Sequence, residues 1–175
     1  LILDLIEYPL IKNVNFYNND RFKSKELLEM YNEFLNSKNY NPNLINNFIK
    51  ELSSLYKSFG YNLIEINHKI EDINDSNFVE LNFYLNEGKI SKINKVYFNG
   101  NDKFNRSDLL EIITSKPKRD LFFFINKNYK KYEFKKDLQR LILFYENNGY
   151  KDIKIDIKNE FIPDKNKFNL YFFIN

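Results

Sequence analysis

The sequence contains no cysteine, no tryptophan, one histidine and only four glycines among 175 residues. Without cysteine the chain has no disulfide, no thiolate metal site and no cysteine nucleophile. A single histidine supplies no second imidazole for a histidine-based metal cluster, and four glycines are too few for a phosphate-binding loop. We therefore expect no catalytic residue, no metal and no cofactor.

Long hydrophobic runs are also missing, since no stretch approaches the roughly 20 apolar residues that cross a bilayer as a helix. The first residues, Leu1–Ile6, have no basic leader and are interrupted by Asp4, unlike a signal peptide. The sequence does not begin with methionine. We expect it to be a piece of a longer protein whose ends do not reveal the compartment.

Hydrophobic residues make up 43% of the chain, with 18 Phe and 13 Tyr, which is enough to build a core. The net charge of +3 is too small to indicate a nucleic-acid partner. This value is the sum of two oppositely charged halves, since residues 1–87 carry a net charge of −5 and residues 88–175 a net charge of +8. This asymmetry predicts different partners or a preferred orientation for the two halves.

The strongest signal is an internal repeat. Residues 13–22 (NVNFYNNDRF) match residues 95–104 (KVYFNGNDKF) at an offset of 82. Further along, Leu, Tyr, Gly-Tyr and Ile positions of residues 52–66 match residues 141–155 at an offset of 89. The second copy therefore carries seven additional residues between its two predicted helices.

Each copy is predicted to fold as β-α-α-β-β. This order predicts an α+β fold in which two helices cover one face of a three-stranded mixed sheet. The second and third strands are predicted at Leu63–Ile70 and Phe78–Leu85, and in the other copy at Ile153–Ile157 and Phe168–Ile174. Structural turns are predicted at Gly60, Gly100 and Gly149.

The helices have their own signals. Ser24 and Ser107 are predicted N-caps of the first helix of each copy. Apolar residues at helical spacing predict the core-facing side of each second helix. These are Leu44, Phe48, Leu52, Leu55 and Phe59 in the first copy and Phe134, Leu138, Leu141 and Tyr145 in the second.

This order of motifs resembles the POTRA (polypeptide-transport-associated) domain. The residues that carry the resemblance are VYFNGN at 96–101 followed by Phe104, FYENNGY at 144–150, and NEG at 86–88. The longer helix-to-helix connection of the second copy is similar to that of the third POTRA domain in outer-membrane β-barrel assembly proteins. The chain thus resembles the second and third POTRA domains of such a protein, in tandem.

The resemblance implies a domain organisation. Residues 1–7 would be the end of a preceding POTRA domain, 8–88 a second-like domain and 89–175 a third-like domain. It also implies a non-enzymatic scaffold in the periplasmic portion of an outer-membrane protein. Its partners would be unfolded outer-membrane β-barrel proteins, accessory lipoproteins of the assembly complex, and a C-terminal membrane barrel in the full-length protein.

The second strand of each predicted sheet is a candidate edge for protein binding. An edge strand offers unpaired N–H and C=O groups to another extended chain, with weak sequence preference. The candidate residues are Leu63, Ile64, Glu65, Ile66 and Asn67 in the first copy and Ile153, Lys154, Ile155, Asp156 and Ile157 in the second. A contrary interpretation makes Lys154 and Lys158 gatekeepers that prevent such pairing.

The inserted connection contains a second candidate, the apolar run Leu121–Ile125 with basic residues on both sides. Phe122, Phe123 and Phe124 would form a docking loop for a partner or a membrane surface. The alternative is that they fill a gap beneath the longer connection. Packing is the favoured interpretation because three exposed phenylalanines promote aggregation.

Two functional alternatives stay open. The domains would also suit a two-partner secretion transporter, another translocation and assembly protein, or a division protein with a POTRA-like segment. In a different class, sheet aromatics such as Tyr97, Tyr171 and Phe173 would stack the bases of a single-stranded nucleic acid. The acidic first copy argues against that interpretation, so we expect no nucleic-acid partner.

Overall fold

The computed structural model describes residues 8–35, 38–73, 77–119, 124–125 and 127–175. The chain divides into two compact units, one formed by residues 1–57 with 64–88 and the other by residues 58–63 with 89–175. Within the described part, none of the helices combines the length and apolar character that crossing a membrane requires.

The described residues of the first unit form three strands and two helices. They are β1 (Leu10–Tyr17), α1 (Ser24–Phe34), α2 (Pro42–Ser58), β2 (Glu65–Asp72) and β3 (Phe78–Asn86). The last strand, β3, lies in the middle of the sheet, parallel to β1 and antiparallel to β2. Strands β1 and β2 therefore form the two edges.

The second unit repeats this arrangement. Its elements are β4 (Lys92–Asn99), α3 (Arg106–Ile112), β5 (Lys118–Arg119), β6 (Phe124–Ile125), α4 (Lys131–Asn147), β7 (Ile155–Ile162) and β8 (Lys167–Ile174). Strand β8 lies between β4, which is parallel to it, and β7, which is antiparallel. The short pair β5 and β6 lies in the longer connection between the helices. The predicted α+β fold with two three-stranded mixed sheets is confirmed.

An aromatic cluster forms the centre of the first core. The rings of Phe16 and Phe83 stack across β1 and β3 with centroids 5.1 Å apart. From the helices, Tyr31 and Phe48 contact each other edge-on at 5.2 Å, and Phe48 lies 5.5 Å from Phe83. Both helices therefore pack on the sheet face that carries Phe16 and Phe83.

Helix α2 buries a stripe that differs from the predicted one. Its buried residues are Ile45, Phe48, Leu52 and Tyr56, at the three- and four-residue spacing of one helical face. Leu44 is 36% exposed and Phe59 is 43% exposed, so the prediction is wrong at these two positions. Leu44 lies beside the buried stripe, and Phe59 follows the last residue of the helix, Ser58.

The second core is equivalent. Helix α4 buries Phe134, Leu141 and Tyr145, together with one charged residue, Asp137. The sheet contributes a row of buried residues on β8, namely Phe168, Leu170, Phe172 and Ile174. The offsets found in the sequence thus bring equivalent apolar residues into equivalent places.

The first helices begin differently from the prediction. Helix α1 begins at Ser24 itself after Lys23, and α3 begins at Arg106 after Asn105. The prediction that Ser24 and Ser107 are N-caps is therefore wrong. At α1 the Glu26 carboxylate accepts a 2.7 Å hydrogen bond from the Lys23 amide, which stabilises the first turn.

Candidate partner-binding edges

Strand β2 is an outer strand of the first sheet. Among the predicted binding residues, Glu65, Ile66 and Asn67 lie in its first half, while Leu63 and Ile64 precede it. Residues 62–63 form a turn, which delays the strand by two residues relative to the prediction. The edge consequently extends further, to Asp72.

Strand β7 is the outer strand of the second sheet. Ile155, Asp156 and Ile157 lie in it, whereas Ile153 and Lys154 precede its first residue. Lys154 still exchanges two backbone hydrogen bonds with Asn175, of 2.8 and 3.0 Å. The strand continues to Ile162, five residues beyond the predicted end.

The opposite edge is covered at its beginning in both units. In each, the segment that leads into the second helix makes two backbone hydrogen bonds around the start of the edge strand. The bonds run from Ile11 N–H to Lys38 O (2.7 Å), from Tyr40 N–H to Pro9 O (2.8 Å), from Ile93 N–H to Lys127 O (2.8 Å) and from Tyr129 N–H to Ser91 O (2.8 Å). Strands β2 and β7 make no comparable backbone contact on their outer side with any described residue, so they are the more accessible edges.

The pattern of hydrogen bonds between β2 and β3 determines which backbone amides of β2 face outward. In an antiparallel ladder, alternate residues direct both N–H and C=O to the partner strand, and those between them direct both groups away. The Ile73 amide donates to Phe78 O at 3.0 Å at the end of this ladder. Even-numbered residues of β2, including Ile66, His68 and Ile70, therefore present their backbone groups to the open edge.

The hydrogen-bonding pattern of β7 follows from the two backbone hydrogen bonds that Lys154 and Asn175 exchange. Even-numbered residues of β7 bond to β8, so Ile155, Ile157 and Asn159 direct their amides outward. Their side chains lie on the core face, since Ile157 pairs with the buried Phe172. In each unit the outward-facing backbone thus belongs to residues that border the apolar core.

Charges along β7 alternate in sign. Asp156, Lys158 and Glu160 lie on the outer face, opposite the core. In β2 the Lys69 ammonium lies 5.7 Å from the centroid of the Tyr84 ring, which holds its aliphatic stem along the sheet face. Neither edge carries a block of like charges that would repel an added strand.

The single histidine of the chain packs beside the aromatic core. The His68 ring lies 6.2 Å from the Phe83 ring, and its Nε2 is 3.4 Å from the Tyr40 hydroxyl. Partial burial lowers the pKa of His68 below its usual 6.5. Among the described residues no group of acidic or histidine side chains is arranged to hold a metal ion.

A buried carboxylate that sequence reasoning missed lies in the second unit. Asp137 on α4 is fully buried, and its carboxylate accepts hydrogen bonds from the Thr114 amide (2.9 Å) and the Ser115 amide (2.7 Å). The Arg140 guanidinium pairs with it at 2.5 Å. This carboxylate, followed by Glu133, raises the pKa of Arg140. The arrangement fixes the start of the longer connection against α4.

The candidate docking loop falls largely outside the described residues. This applies to Phe122 and Phe123, and for Phe124 the structure describes only the backbone, which forms β6 with Ile125. The docking and packing interpretations of these phenylalanines stay predictions.

The aromatics considered for base stacking lie on the outer sheet face of the second unit. The Tyr97 and Tyr171 rings stack on each other at 4.9 Å, and Phe173 lies 6.3 Å from Tyr171. The Tyr171 hydroxyl donates a 2.6 Å hydrogen bond to the Glu160 carboxylate, which lowers the pKa of Glu160. A carboxylate beside this aromatic row disfavours a phosphate backbone there.

The glycines chosen as structural turns all adopt positive φ. Gly60 has φ 97°, Gly100 has φ 79° and Gly149 has φ 94°. At the position equivalent to Gly100, the first unit has Asn18 with φ 60°, a residue that tolerates this conformation better than most.

Comparison with protein families gives two consecutive matches. The family model described as "POTRA: Surface antigen variable number repeat" matches residues 9–88 and 91–175. The chain is similar to the outer membrane protein assembly factor BamA of Neisseria meningitidis serogroup B, with 25% identity over 159 residues that cover 89% of this chain and 20% of that protein. The BamA of Buchnera aphidicola is 27% identical over 176 aligned positions, covering 97% of this chain and 28% of that protein. The chain therefore spans less than a third of the length of these relatives.

Solved structures share the fold. The crystal structure of Haemophilus influenzae BamA POTRA3-5 superposes with a TM-score of 0.50 and 13% identity, covering 96% of this chain and 61% of that one. CdiB from Escherichia coli gives a TM-score of 0.52 and 9% identity, covering 95% of this chain and 27% of that one. At these identities the likeness concerns the fold alone.

Proposed function

The chain belongs to the POTRA family, and we propose that its two units form part of the periplasmic scaffold of an outer-membrane β-barrel assembly protein. In this role they bind extended segments of unfolded outer-membrane proteins. The similarity to BamA proteins supports the cellular context. A C-terminal membrane barrel in the full-length protein and accessory lipoproteins of the assembly complex are the further partners that this proposal includes.

The observation that carries the binding role is the difference between the two edges of each sheet. Strands β1 and β4 are covered at their start by backbone hydrogen bonds, whereas β2 and β7 have outward-facing amides without a described backbone partner. An extended client segment would add as a fourth strand beside β2 or β7. Such pairing depends mainly on backbone hydrogen bonds, which every client segment can form, so it is compatible with many clients of different sequence.

Single proline substitutions test this mechanism, because they remove one outward amide and leave the internal ladder intact. We would measure binding of a fluorescent peptide taken from a β-barrel strand to Ile70→Pro and Ile157→Pro variants. Loss of one backbone hydrogen bond weakens binding by about 2- to 13-fold, from 0.5–1.5 kcal/mol per bond. The matched controls Ile70→Val and Ile157→Val keep the amide and should bind like the parent chain.

Amide hydrogen exchange gives a register-specific second readout. On saturation with the peptide, residues 66, 68 and 70 of β2 or 155, 157 and 159 of β7 should gain protection, while the residues between them are already protected by β3 or β8. Unchanged binding in both folded proline variants would contradict the edge mechanism. An equal gain in protection at odd and even residues would contradict it as well.

A further inference from the structure

A cleft of about 530 Å³ lies at the start of β1 in the first unit. Its apolar walls are Leu10 and Ile11 of β1, Leu35 after α1 and Phe78 of β3. A volume of this size is typical of sites that bind small molecules. None of the described residues that line the cleft belongs to β2, the edge proposed above for client binding.

Backbone hydrogen bonds hold the walls of the cleft in place. The Ile11 amide donates to Lys38 O at 2.7 Å, and the Leu10 amide donates to Asn77 O at 2.9 Å. The start of β1 is therefore fixed on one side to the segment that leads into α2 and on the other side to the start of β3. The cleft is formed by this backbone arrangement, as is usual for small-molecule sites.

The Tyr31 side chain lines the cleft and carries an unpaired donor. Tyr31 is 4% exposed, and its buried hydroxyl has no hydrogen-bond partner among the described residues. Burial raises the pKa of Tyr31 to about 12, so the hydroxyl keeps its proton at neutral pH. Because buried hydroxyls are nearly always hydrogen-bonded, this one suits a ligand that accepts a hydrogen bond.

The second unit shows that the fold does not require this hydroxyl. At the offset of 82, Ile113 is the counterpart of Tyr31, and it is 1% exposed in the second core. An aliphatic side chain thus fills the equivalent place without any polar group. The phenol is therefore a property of the first unit alone.

Two cations border the same cleft. Lys12 and Lys38 line it, and both residues are exposed. The pairing register of β1 shifts between Ile11 and Asn13, the pattern of a β-bulge, and a bulge redirects the side chains next to it. The described residues that line the cleft include no acidic residue, so the two positive charges favour an anionic ligand.

We propose that this cleft binds a fatty carboxylate, whose carboxylate group accepts a hydrogen bond from the Tyr31 hydroxyl. The alkyl chain lies along the apolar walls, which reach the surface at Phe78, a residue that is 42% exposed. A phosphate group is more often held by arginine or by several backbone amides, and the described lining residues include no arginine. This site is separate from the edge strands and does not depend on the function proposed for them.

Titration calorimetry of the 175-residue chain with decanoate tests the site, at concentrations below those at which micelles form. We expect saturable binding of one decanoate per chain. Decanol should bind about 10-fold more weakly, because a charged acceptor forms the stronger hydrogen bond. Acetate, which has no alkyl chain to bury, should show no saturable binding.

Tyr31→Phe removes only the proposed donor. It should weaken decanoate binding by about 10- to 150-fold, the loss expected for one hydrogen bond to a charged group. The melting temperature of the free chain should stay unchanged or rise, because the substitution removes an unpaired hydroxyl. Retained folding therefore separates loss of the donor from loss of the structure.

The lysines have a smaller expected effect. Lys12→Gln and Lys38→Gln should each weaken decanoate binding by about 1.5- to 5-fold at low salt, as for exposed ion pairs. The matched control Lys25→Gln changes a lysine on α1 whose side chain is 86% exposed and lies outside the cleft. It should bind decanoate like the parent chain.

Three outcomes would overturn the proposal. Absence of saturable decanoate binding would show that water alone satisfies the Tyr31 hydroxyl. Equal affinity of the parent and Tyr31→Phe chains would show that this hydroxyl is not the donor to the carboxylate. A clear fall in the melting temperature of the free Tyr31→Phe chain would show that the hydroxyl already has a partner within the protein.

Discussion

The Asp137 carboxylate lies 2.5 Å from Nη1 of Arg140, and it is fully buried while the arginine side chain remains 36% exposed. Two backbone amides and the Thr114 hydroxyl also donate to it. A buried charge is stable only when such donors surround it. The interaction therefore holds α4 and the beginning of the inserted connection in one arrangement.

Removal of this charge should strongly destabilise the second unit. Asp137→Asn replaces one acceptor oxygen with an NH₂ group that faces donors, and we expect a loss of about 3–5 kcal/mol in the free energy of unfolding. Urea denaturation followed by circular dichroism measures it. The control Glu133→Gln affects a more exposed carboxylate 3.4 Å from Arg140 and should cost much less; equal losses would contradict the role of Asp137.

Two glycines with similar φ should respond differently to alanine. A Cβ added at Gly100 would clash with the Ile174 carbonyl oxygen, whereas at Gly149 no atom lies within 4 Å of it. Gly149→Ala should cost only the conformational penalty of about 1–2 kcal/mol. Gly100→Ala should cost clearly more in the same thermal unfolding experiment, since backbone must move, and equal costs would argue against the close approach of β8 to Gly100.

Asn18 offers the reverse substitution. It has φ 60° at the position that is Gly100 in the second unit. Asn18→Gly should change the free energy of unfolding by less than about 1 kcal/mol, because glycine relieves the conformation but adds freedom to the unfolded chain. Asn18→Val should destabilise the first unit by more, because β-branched residues rarely adopt this conformation. A stability ranking by denaturant titration with valine above asparagine would contradict the assigned backbone.

Because the chain contains one histidine, the protonation of His68 can be followed separately from that of every other side chain. Because burial lowers the native pKa of His68 below 6.5, the unfolded chain binds the proton more tightly than the native chain. The contribution of His68 to stability is thus complete above pH 6.5 and is lost as the pH falls through the native pKa. A proton NMR titration of its only imidazole signal should give a lower midpoint in buffer than in concentrated urea, and equal midpoints would contradict the burial of the ring.

Repetition made most of the fold predictable. Two offsets in the sequence identified equivalent strands and helices without any reference to a structure. Phe83 and Phe172, for example, are both fully buried in central strands. A single copy would have left the short apolar runs ambiguous between strand and helix.

The details that escaped prediction are those without a counterpart in the other copy. Asp137 corresponds to Phe48 at the offset of 89, and its amide donors come from the longer connection of the second unit. The starts of β2 and β7 were predicted two residues too early because apolar residues, Leu63 and Ile64 in one unit and Ile153 in the other, directly precede the first residue of each strand. Hydrophobic patterning reports burial, and it does not report where a ladder of hydrogen bonds begins.

The central strand of each sheet is the last one in sequence, and this constrains how the chain acquires its structure. The Asn15 side chain of β1 bonds to that of Asn82 in β3 across 67 positions of sequence, and among the described strands β2 likewise pairs with β3 alone. When the polypeptide leaves a ribosome or a membrane channel N-terminus first, neither edge strand has a template until residues 78–86 emerge. Each unit therefore completes its sheet in one late step that pairs residues far apart in sequence. We expect this pairing to limit the folding rate and to occur only after the last strand has emerged.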